Sequence, residues 1–330
     1  MVKLRLSLAC CDYDRTRALI DGTVVPEGVD LQVIRSQDPA ETFRRMLHDA
    51  EFDVSEMSLS NYMMGIARDD TRFVGLPVFP YRMFRHSMLW VNDRSGIREP
   101  RDLIGKRVGI PEYAVTALLY ARGMLQHEYG VLPRDIHWFR SRTERVALDL
   151  PSDVRIEQLP PDLALEGLLE RGELDSIASF TTPRAAGNGS GPVRRLFLNA
   201  REVEVDYYQR TRIFPIMHLI VLRRDVYEGN RWVARSLVNA FQAAKARCYQ
   251  DLERDMMADS MVLTPWLQHH WEEARAVFGG EIYPYGLQDN LPTLEAAMRY
   301  SYEQHLSARR LSVGDLFAAE TLDTFGEHDY

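Results

Sequence analysis

Apolar and polar positions alternate in short blocks through the first ninety or so residues. Leu4, Leu6, Leu8 and Cys10 share one face of an extended segment, which predicts a strand over residues 3–10. Asp12 stands where it can cap a helical turn over 13–19. A strand over 29–34 follows the Pro26-Glu-Gly28 turn. Ala40, Phe43, Met46 and Leu47 fall at helical spacing and predict a helix over 39–49. Strands over 52–57 and 73–76 flank a helix over 60–67. This regular exchange of strand and helix predicts a mostly parallel sheet.

The pattern changes at residues 78–91, an apolar and aromatic run that is long for one strand and contains Pro80. It reads as a crossing from one lobe into another. Residues 92–99 form a polar loop, and a second αβ unit runs over 103–139. Within it a buried strand at 107–110 turns at Pro111 into a helix over 115–129. Glu112, Tyr113 and Thr116 fall at that corner, where open α/β sheets bind ligands and a helix start favours an anion. Glu112 is open to two readings there, a helix-capping acid or a group for proton chemistry.

Residues 140–160, rich in Arg, Asp, Glu and Pro, read as exposed loops and short strands. A helix over 163–171 and a strand over 174–179 follow, then the flexible Gly187-Asn-Gly-Ser-Gly191 loop. Residues 205–211 lead into a second long apolar strand over 213–222, the return crossing. From Trp232 the chain is helical, over 232–255, 269–277 and 291–306, with a tail from 311. The expected fold is an α/β clamshell with two crossing strands as hinge and a helical C-terminal region. Its lobes are 1–85 with 220–330, and the inserted 86–219, with a ligand cleft between them. Binding proteins and enzymes both use such a fold, so it does not fix the function.

Composition narrows the classes. The chain has 330 residues, 45% hydrophobic and 27% charged, as in a globular protein. A net charge of −8 without a Lys/Arg block argues against nucleic acid. No apolar run reaches the roughly 18 residues of a membrane span. Three cysteines, two of them adjacent, give neither a disulfide framework nor zinc spacing and suit a reducing compartment. Leu8-Ala9-Cys10 follows too short an apolar stretch for a signal sequence, so a cytoplasmic location is expected.

Several segments together resemble the 4,5-dihydroxyphthalate decarboxylase family, which is related to type II periplasmic solute-binding proteins. They are Asp12-Tyr-Asp-Arg-Thr16 with Gly22, Phe52-Asp-Val-Ser-Glu-Met-Ser-Leu-Ser60, Phe84-Arg-His-Ser87 and Gly109-Ile-Pro-Glu-Tyr113. Further on come Arg122-Gly123 with Glu128-Tyr-Gly-Val131, Ile213-Phe-Pro-Ile-Met-His218, Tyr283-Pro-Tyr-Gly286, and Tyr302-Glu-Gln304 through Ser307-Ala-Arg-Arg310. Gly105-Lys-Arg-Val-Gly109 adds little, because many binding proteins carry it. Tyr81 and Thr181-Thr182 stand apart from commoner residues and leave the ring substituents open.

The resemblance implies a lyase of phthalate degradation that converts 4,5-dihydroxyphthalate to 3,4-dihydroxybenzoate and CO2. A ring hydroxyl para to the leaving carboxylate supplies the electrons, so no cofactor is expected. The expected acid-base set is His218 on the second crossing, His86 on the first, and Glu112. Arg82 and Arg85 lie three apart, so strand alternation sends them to opposite faces. Arg85, inside Phe84-Arg-His-Ser87, is the better carboxylate ligand. Arg15, Arg184 and Arg212 at strand ends, Tyr113, Thr116, Ser58 and Ser60 complete the expected substrate site, with helix capping an alternative for the serines. A divalent metal held by His86, Glu112 and His218 is the other arrangement left open. His269-His270 reads as a surface pair, since adjacent helical residues point about 100° apart. The competing class is a non-catalytic binder of an aromatic acid or other small anion. The expected partner is a small aromatic carboxylate, and a homo-oligomer is left open.

Overall fold

Two mixed sheets collect the strands in a computed structural model, which describes residues 2–187, 191–257 and 264–323. The first part of the chain gives β1 (Leu4–Cys11), α1 (Arg17–Ile20), β2 (Val29–Ser36), α2 (Pro39–Asp49), β3 (Val54–Ser58), α3 (Leu59–Ile66) and β4 (Phe73–Arg82). The chain then passes to β5 (Leu89–Asn92), β6 (Arg107–Ile110), α4 (Thr116–Tyr129), β7 (His137–Arg140), β8 (Ile156–Gln158), α5 (Leu165–Arg171), β9 (Ser176–Ala178) and β10 (Val193–Arg195). It returns through α6 (Ala200–Thr211) and β11 (Ile216–Arg223) to α7 (Arg224–Gly229), α8 (Trp232–Met257), α9 (Leu267–Phe278), α10 (Leu291–Glu303) and α11 (Val313–Leu316). The middle of the expected glycine-rich loop, 188–190, lies outside the described residues.

The first sheet has the order β2-β1-β3-β11-β4, and the second β10-β5-β9-β6-β7-β8. β1 runs parallel to β2 and β3, whereas β11 enters between β3 and β4 antiparallel to both. The sheet is therefore less parallel than the strand-helix alternation predicts. The cause is non-local: the strand that fills the gap comes from residues far along the chain.

The apolar run after residue 73 also divides differently from expectation. β4 continues without a break through Pro77 and Pro80 to Arg82, and β5 is a separate strand. β4 is an edge strand, so the N–H groups that proline lacks have no ladder partner to lose. The two crossings meet directly, with the Met83 amide donating to the Pro215 carbonyl at 3.1 Å. Arg82 clamps this meeting point. Its buried guanidinium donates to the Phe214 carbonyl (3.3 Å), to the Pro284 carbonyl (2.8 Å) and to the Asn290 side chain. Arg82 is thus a structural residue, in correction of its expected place at the substrate. Burial presses its pKa down to about 10, and the carbonyls replace the water it has lost.

The C-terminal helices tie the second sheet to the first. Arg122 on α4 donates to the Gln304 side chain at 2.9 Å, and Gln304 donates back to the Leu119 carbonyl at 2.9 Å. Gly123 allows this approach, because a Cβ there would collide with the ring of buried Tyr300 on α10. Gly123→Ala sets a helix-propensity gain of about 1 kcal/mol against an overpacking cost of about 1–3 kcal/mol. The ring cannot leave a filled core, so the cost wins. Urea unfolding of Gly123→Ala is expected to show a lower midpoint, by about 1–2 kcal/mol of stability; an unchanged or raised midpoint would contradict this account of the contact.

Candidate active site

A cavity of about 260 Å³ opens between the two sheets. The first turns of α2 (Pro39, Ala40) and α4 (Thr116, Ala117) both reach it, so the positive ends of two helix dipoles converge there. Its floor is set by strand register. His218 on β11 pairs with Ser58 on β3 and with Tyr81 on β4, and all three line the cavity. The β11–β4 ladder shifts register on both sides of His218, an irregularity of the kind that re-aims a side chain.

His218 is held from behind. Its Nδ1 lies 2.6 Å from Glu56 Oε1. Glu56 pairs in register with Ile220, which makes the bond a diagonal contact across β3 and β11. The same carboxylate accepts from the Tyr13 hydroxyl (2.7 Å) and from the Cys11 amide (3.0 Å). Burial pushes the Glu56 pKa up, but the bonds from His218, Cys11 and Tyr13 outweigh it and hold the value below the ordinary carboxylate range. Phe43 packs edge-on against the imidazole at 4.7 Å, and Tyr81 tilts over it at 5.0 Å. With Nδ1 engaged, Nε2 is left for the cavity.

The opposite wall comes from the second sheet. Glu112 lines the cavity and pairs with Arg145 at 3.0 Å, with Arg142 at 4.0 Å. Burial raises the Glu112 pKa, against the pull of Arg145. The strand-to-helix corner differs from expectation in one respect. The amides of Tyr113 and Ala114 donate to the Glu144 carboxylate at 2.5 and 3.0 Å. The anion predicted for that corner is therefore the protein's own. The 140–160 loop that supplies Glu144 also brings Arg142 and Arg145 to the cavity, so it is part of the site rather than a plain exposed connection.

Arg85 supplies a cation that no carboxylate contacts, Glu204 acting on it only at longer range. Only 5% exposed, it forms no ion pair among the described residues. Its nearest partners are soft: Met217 Sδ at 3.1 Å, Met83 Sδ at 3.8 Å, and the rings of Tyr81 and Phe180. Burial lowers its pKa, yet an arginine stays charged across the physiological range. A buried charge without a partner is costly, and this one lines the cavity.

The remaining expected residues separate into supports and outliers. Thr116 lines the cavity, and its hydroxyl bonds Ser58 Oγ at 2.9 Å and accepts the Ser60 amide at 3.0 Å. It thereby caps α3 from the second sheet, a role expected of Ser58 or Ser60. Ser60 and Tyr113 are buried outside the cavity lining, each with an unpartnered hydroxyl, and Arg122 stacks on the Tyr113 ring at 3.6 Å. Arg15 lies between the Tyr13 and Tyr283 rings and donates to the Pro80 carbonyl at 2.6 Å. Arg184 is exposed, its amide near Glu166. Arg212 is an exposed left-handed residue at the end of α6 (φ 58°). None of these three lines the cavity.

His86 is also outside it, against Phe197 and Tyr207, 2% exposed, with neither ring nitrogen hydrogen-bonded and the Glu204 carboxylate 3.8 Å from Nδ1. The set of His86, Glu112 and His218 left open for a metal therefore does not form. Among the described residues, no three His, Cys, Asp or Glu side chains gather as a metal site. The site residues that the sequence did not point to are Glu56, Tyr13, Arg142, Arg145 and Phe180, while Tyr81, singled out for the ring substituents, does line the cavity. Glu56 had a legible signal, a charge at the centre of a short strand in the middle of the expected sheet. The loop arginines had none.

Burial pushes the His86 pKa down to about 4, below the ordinary value of about 6.5. Between those values the unfolded chain binds a proton that the folded chain refuses, so stability is complete above about pH 6.5 and falls as the pH drops toward 4. His86→Phe keeps the ring packing and removes the titration. Thermal unfolding across pH 4–7 is expected to show a flatter profile for the variant, by up to about 3 kcal/mol; parallel profiles would mean that His86 is not held neutral.

No family model matches the chain. A 4,5-dihydroxyphthalate decarboxylase of Comamonas testosteroni is 36% identical over 331 residues, 98% of this chain and 99% of the relative. A 4,5-dihydroxyphthalate decarboxylase of Pseudomonas putida is 37% identical over 215 residues, 63% of this chain and 83% of the relative. Among solved structures, the periplasmic aliphatic sulphonate binding protein SsuA of Escherichia coli superposes with a TM-score of 0.54 at 14% identity, covering 98% of this chain and 99% of its own. The desulfurization enzyme DSZB gives 0.52 at 17% identity, covering 97% and 98%. These two share the fold alone, and they span a binder and an enzyme. The full-length identity to the Comamonas protein decides the family: this chain belongs to the 4,5-dihydroxyphthalate decarboxylases.

Proposed function

We propose that the protein decarboxylates 4,5-dihydroxyphthalate to 3,4-dihydroxybenzoate and CO2. One observation carries the reading. A single cavity joins a buried, carboxylate-free guanidinium (Arg85) to two proton-handling side chains (His218 and Glu112) between aromatic walls. Its volume, about 260 Å³, lies at the small end of ligand sites, which run about 300–1,000 Å³, and suits one substituted ring. Phe43, Tyr81 and Phe180 offer faces and edges to that ring. The family relationship supplies the substrate.

Each carboxylate of this substrate is para to a ring hydroxyl. Removing that hydroxyl proton pushes electrons toward the ring carbon bearing the carboxylate. Protonation of that carbon then lets CO2 leave. The phenolate supplies the electron pair, so the reading calls for no electron-sink cofactor. Arg85 binds the carboxylate that stays, through the forked geometry that suits guanidinium to carboxylate. The leaving carboxylate belongs among weaker partners, because tight ground-state binding would not lower the barrier. Cys10, Cys11 and Cys248 are unpaired, which fits a cytoplasmic enzyme.

The direct test is CO2 release from 4,5-dihydroxyphthalate by the purified protein, before and after exhaustive chelation. Turnover that survives chelation is expected. Turnover lost and then restored by a divalent ion would recast His218 and Glu112 as metal ligands. Tight binding of an aromatic acid with no turnover would return the protein to the binding class. Arg85→Met is expected to raise KM about 10- to 100-fold, the loss of one charged hydrogen-bonding group. An unchanged KM would remove Arg85 from substrate binding.

A further inference from the structure

We propose that His218 is the group that protonates the ring carbon, with Glu56 and Tyr13 as its positioning residues and Glu112 as the acceptor of the phenolic proton. The assignment rests on the decarboxylase reading above.

Glu56 is the buried anion behind the imidazole. It is fully buried on a strand buried at every position. Three donors reach its carboxylate, the Cys11 amide at one oxygen, and the Tyr13 hydroxyl and His218 Nδ1 at the other. The first two are neutral, so among these partners only the imidazole can carry the compensating positive charge. The dyad thus gives His218 a counter-charge for the form in which it donates a proton. Nδ1 is committed to Glu56, and packing by Phe43 and Tyr81 fixes the ring plane. The proton available to a ligand is the one on Nε2.

Glu112 stands in the opposite condition. Its partner Arg145 is a permanent cation that has no proton to give, while burial makes the carboxylate more basic than usual. One wall of the cavity therefore donates and the other accepts.

The step balances. Glu112 takes the hydroxyl proton para to the leaving carboxylate, and the oxygen pair moves into the ring. The ring carbon forms a C–H bond with the Nε2 proton of His218. The C–C bond to the carboxylate then breaks, its electron pair restores aromaticity, and CO2 departs neutral. Glu112 returns its proton to the phenolate, and neutral His218 recovers one from water.

The titratable or charged groups around the imidazole are Glu56 and Tyr13 behind it, Tyr81 beside it, Asp38, Arg85, Glu112, Arg142 and Arg145 lining the same cavity, and Cys10 and Cys11 beyond Glu56. Glu56→Gln changes one of these charges and little volume. It is expected to lower kcat about 100-fold or more with KM nearly unchanged. The alkaline limb of its pH profile moves about one pH unit or more to lower pH, because the imidazolium loses its counter-charge. Glu56→Asp restores the limb. Tyr13→Phe, which keeps the charge and removes a donor competing for the same oxygen, moves the limb the other way and serves if Glu56→Gln fails to fold. Parent-like kcat and limb in Glu56→Gln, or a loss confined to KM, would overturn the assignment. Imidazole nitrogen NMR gives a readout free of substrate, with His218 expected to stay protonated to higher pH in the parent than in Glu56→Gln. CO2 release by the parent with equal midpoints in both proteins overturns this assignment alone. A parent that releases no CO2 overturns it together with the decarboxylase reading.

Discussion

The insertion of β11 between β3 and β4 is the constraint from which the site follows. Without it the first sheet would end at β3, with β4 lacking a neighbour. By running antiparallel through the gap, β11 completes the sheet, returns the chain from the second lobe and fixes His218 opposite Ser58 and Tyr81. It also brings the imidazole within reach of Glu56, a residue 162 positions earlier in the chain. The same strand therefore closes the fold and presents its reactive group, and a change that loosens one should loosen the other.

A second constraint keeps the cavity in place. The crossings touch at Met83 and Pro215, and Arg82 binds both the return crossing and the Pro284–Asn290 region. Arg122 and Gln304 repeat the device between α4 and α10. Both are buried arginines that donate to amide and backbone carbonyl oxygens rather than to carboxylates, although both terminal nitrogens of Arg122 have no hydrogen-bond partner. Such pairing offsets part of the desolvation cost of the guanidinium without adding buried negative charge. Arg85 differs from both. Its hydrogen-bond partners are methionine sulfurs rather than oxygens, and it lines the cavity, where a ligand can reach it.

The cavity also divides its charges by lobe. The first sheet contributes an imidazole backed by a carboxylate, and the second a carboxylate backed by arginines. Each pair is assembled within its own half of the fold, and the helix starts of α2 and α4 add positive potential from both sides. A planar dianion meets arginines and helix starts as well as the Glu112 carboxylate, while proton donor and acceptor remain on separate supports. Neither SsuA nor DSZB, which share the fold, settles this chemistry, because it resides in side chains rather than in topology.

Local pattern was enough for much of the architecture. The period of Ala40, Phe43, Met46 and Leu47 gave α2 its limits, and the alternation of Leu4, Leu6 and Leu8 gave β1, because these faces bury the same residues wherever the element packs. The motifs at Phe84-Arg-His-Ser87 and Ile213-Phe-Pro-Ile-Met-His218 likewise pointed to Arg85 and His218. The motif around Phe84 also misled, since His86 turns into an aromatic pocket and Arg85 into the cavity; neighbouring positions carry no record of which side faces a ligand. Glu144 filling the helix corner, Thr116 capping α3 and Arg145 meeting Glu112 were decided only in three dimensions. Those contacts join segments whose separation is set by the packing of two sheets, and periodicity along the chain says nothing about distances across a fold. The sequence by itself determined the elements, the family and the residue types available for acid-base work. Tertiary structure decided which of them meet, because burial, register and counter-charge are properties of the assembled core.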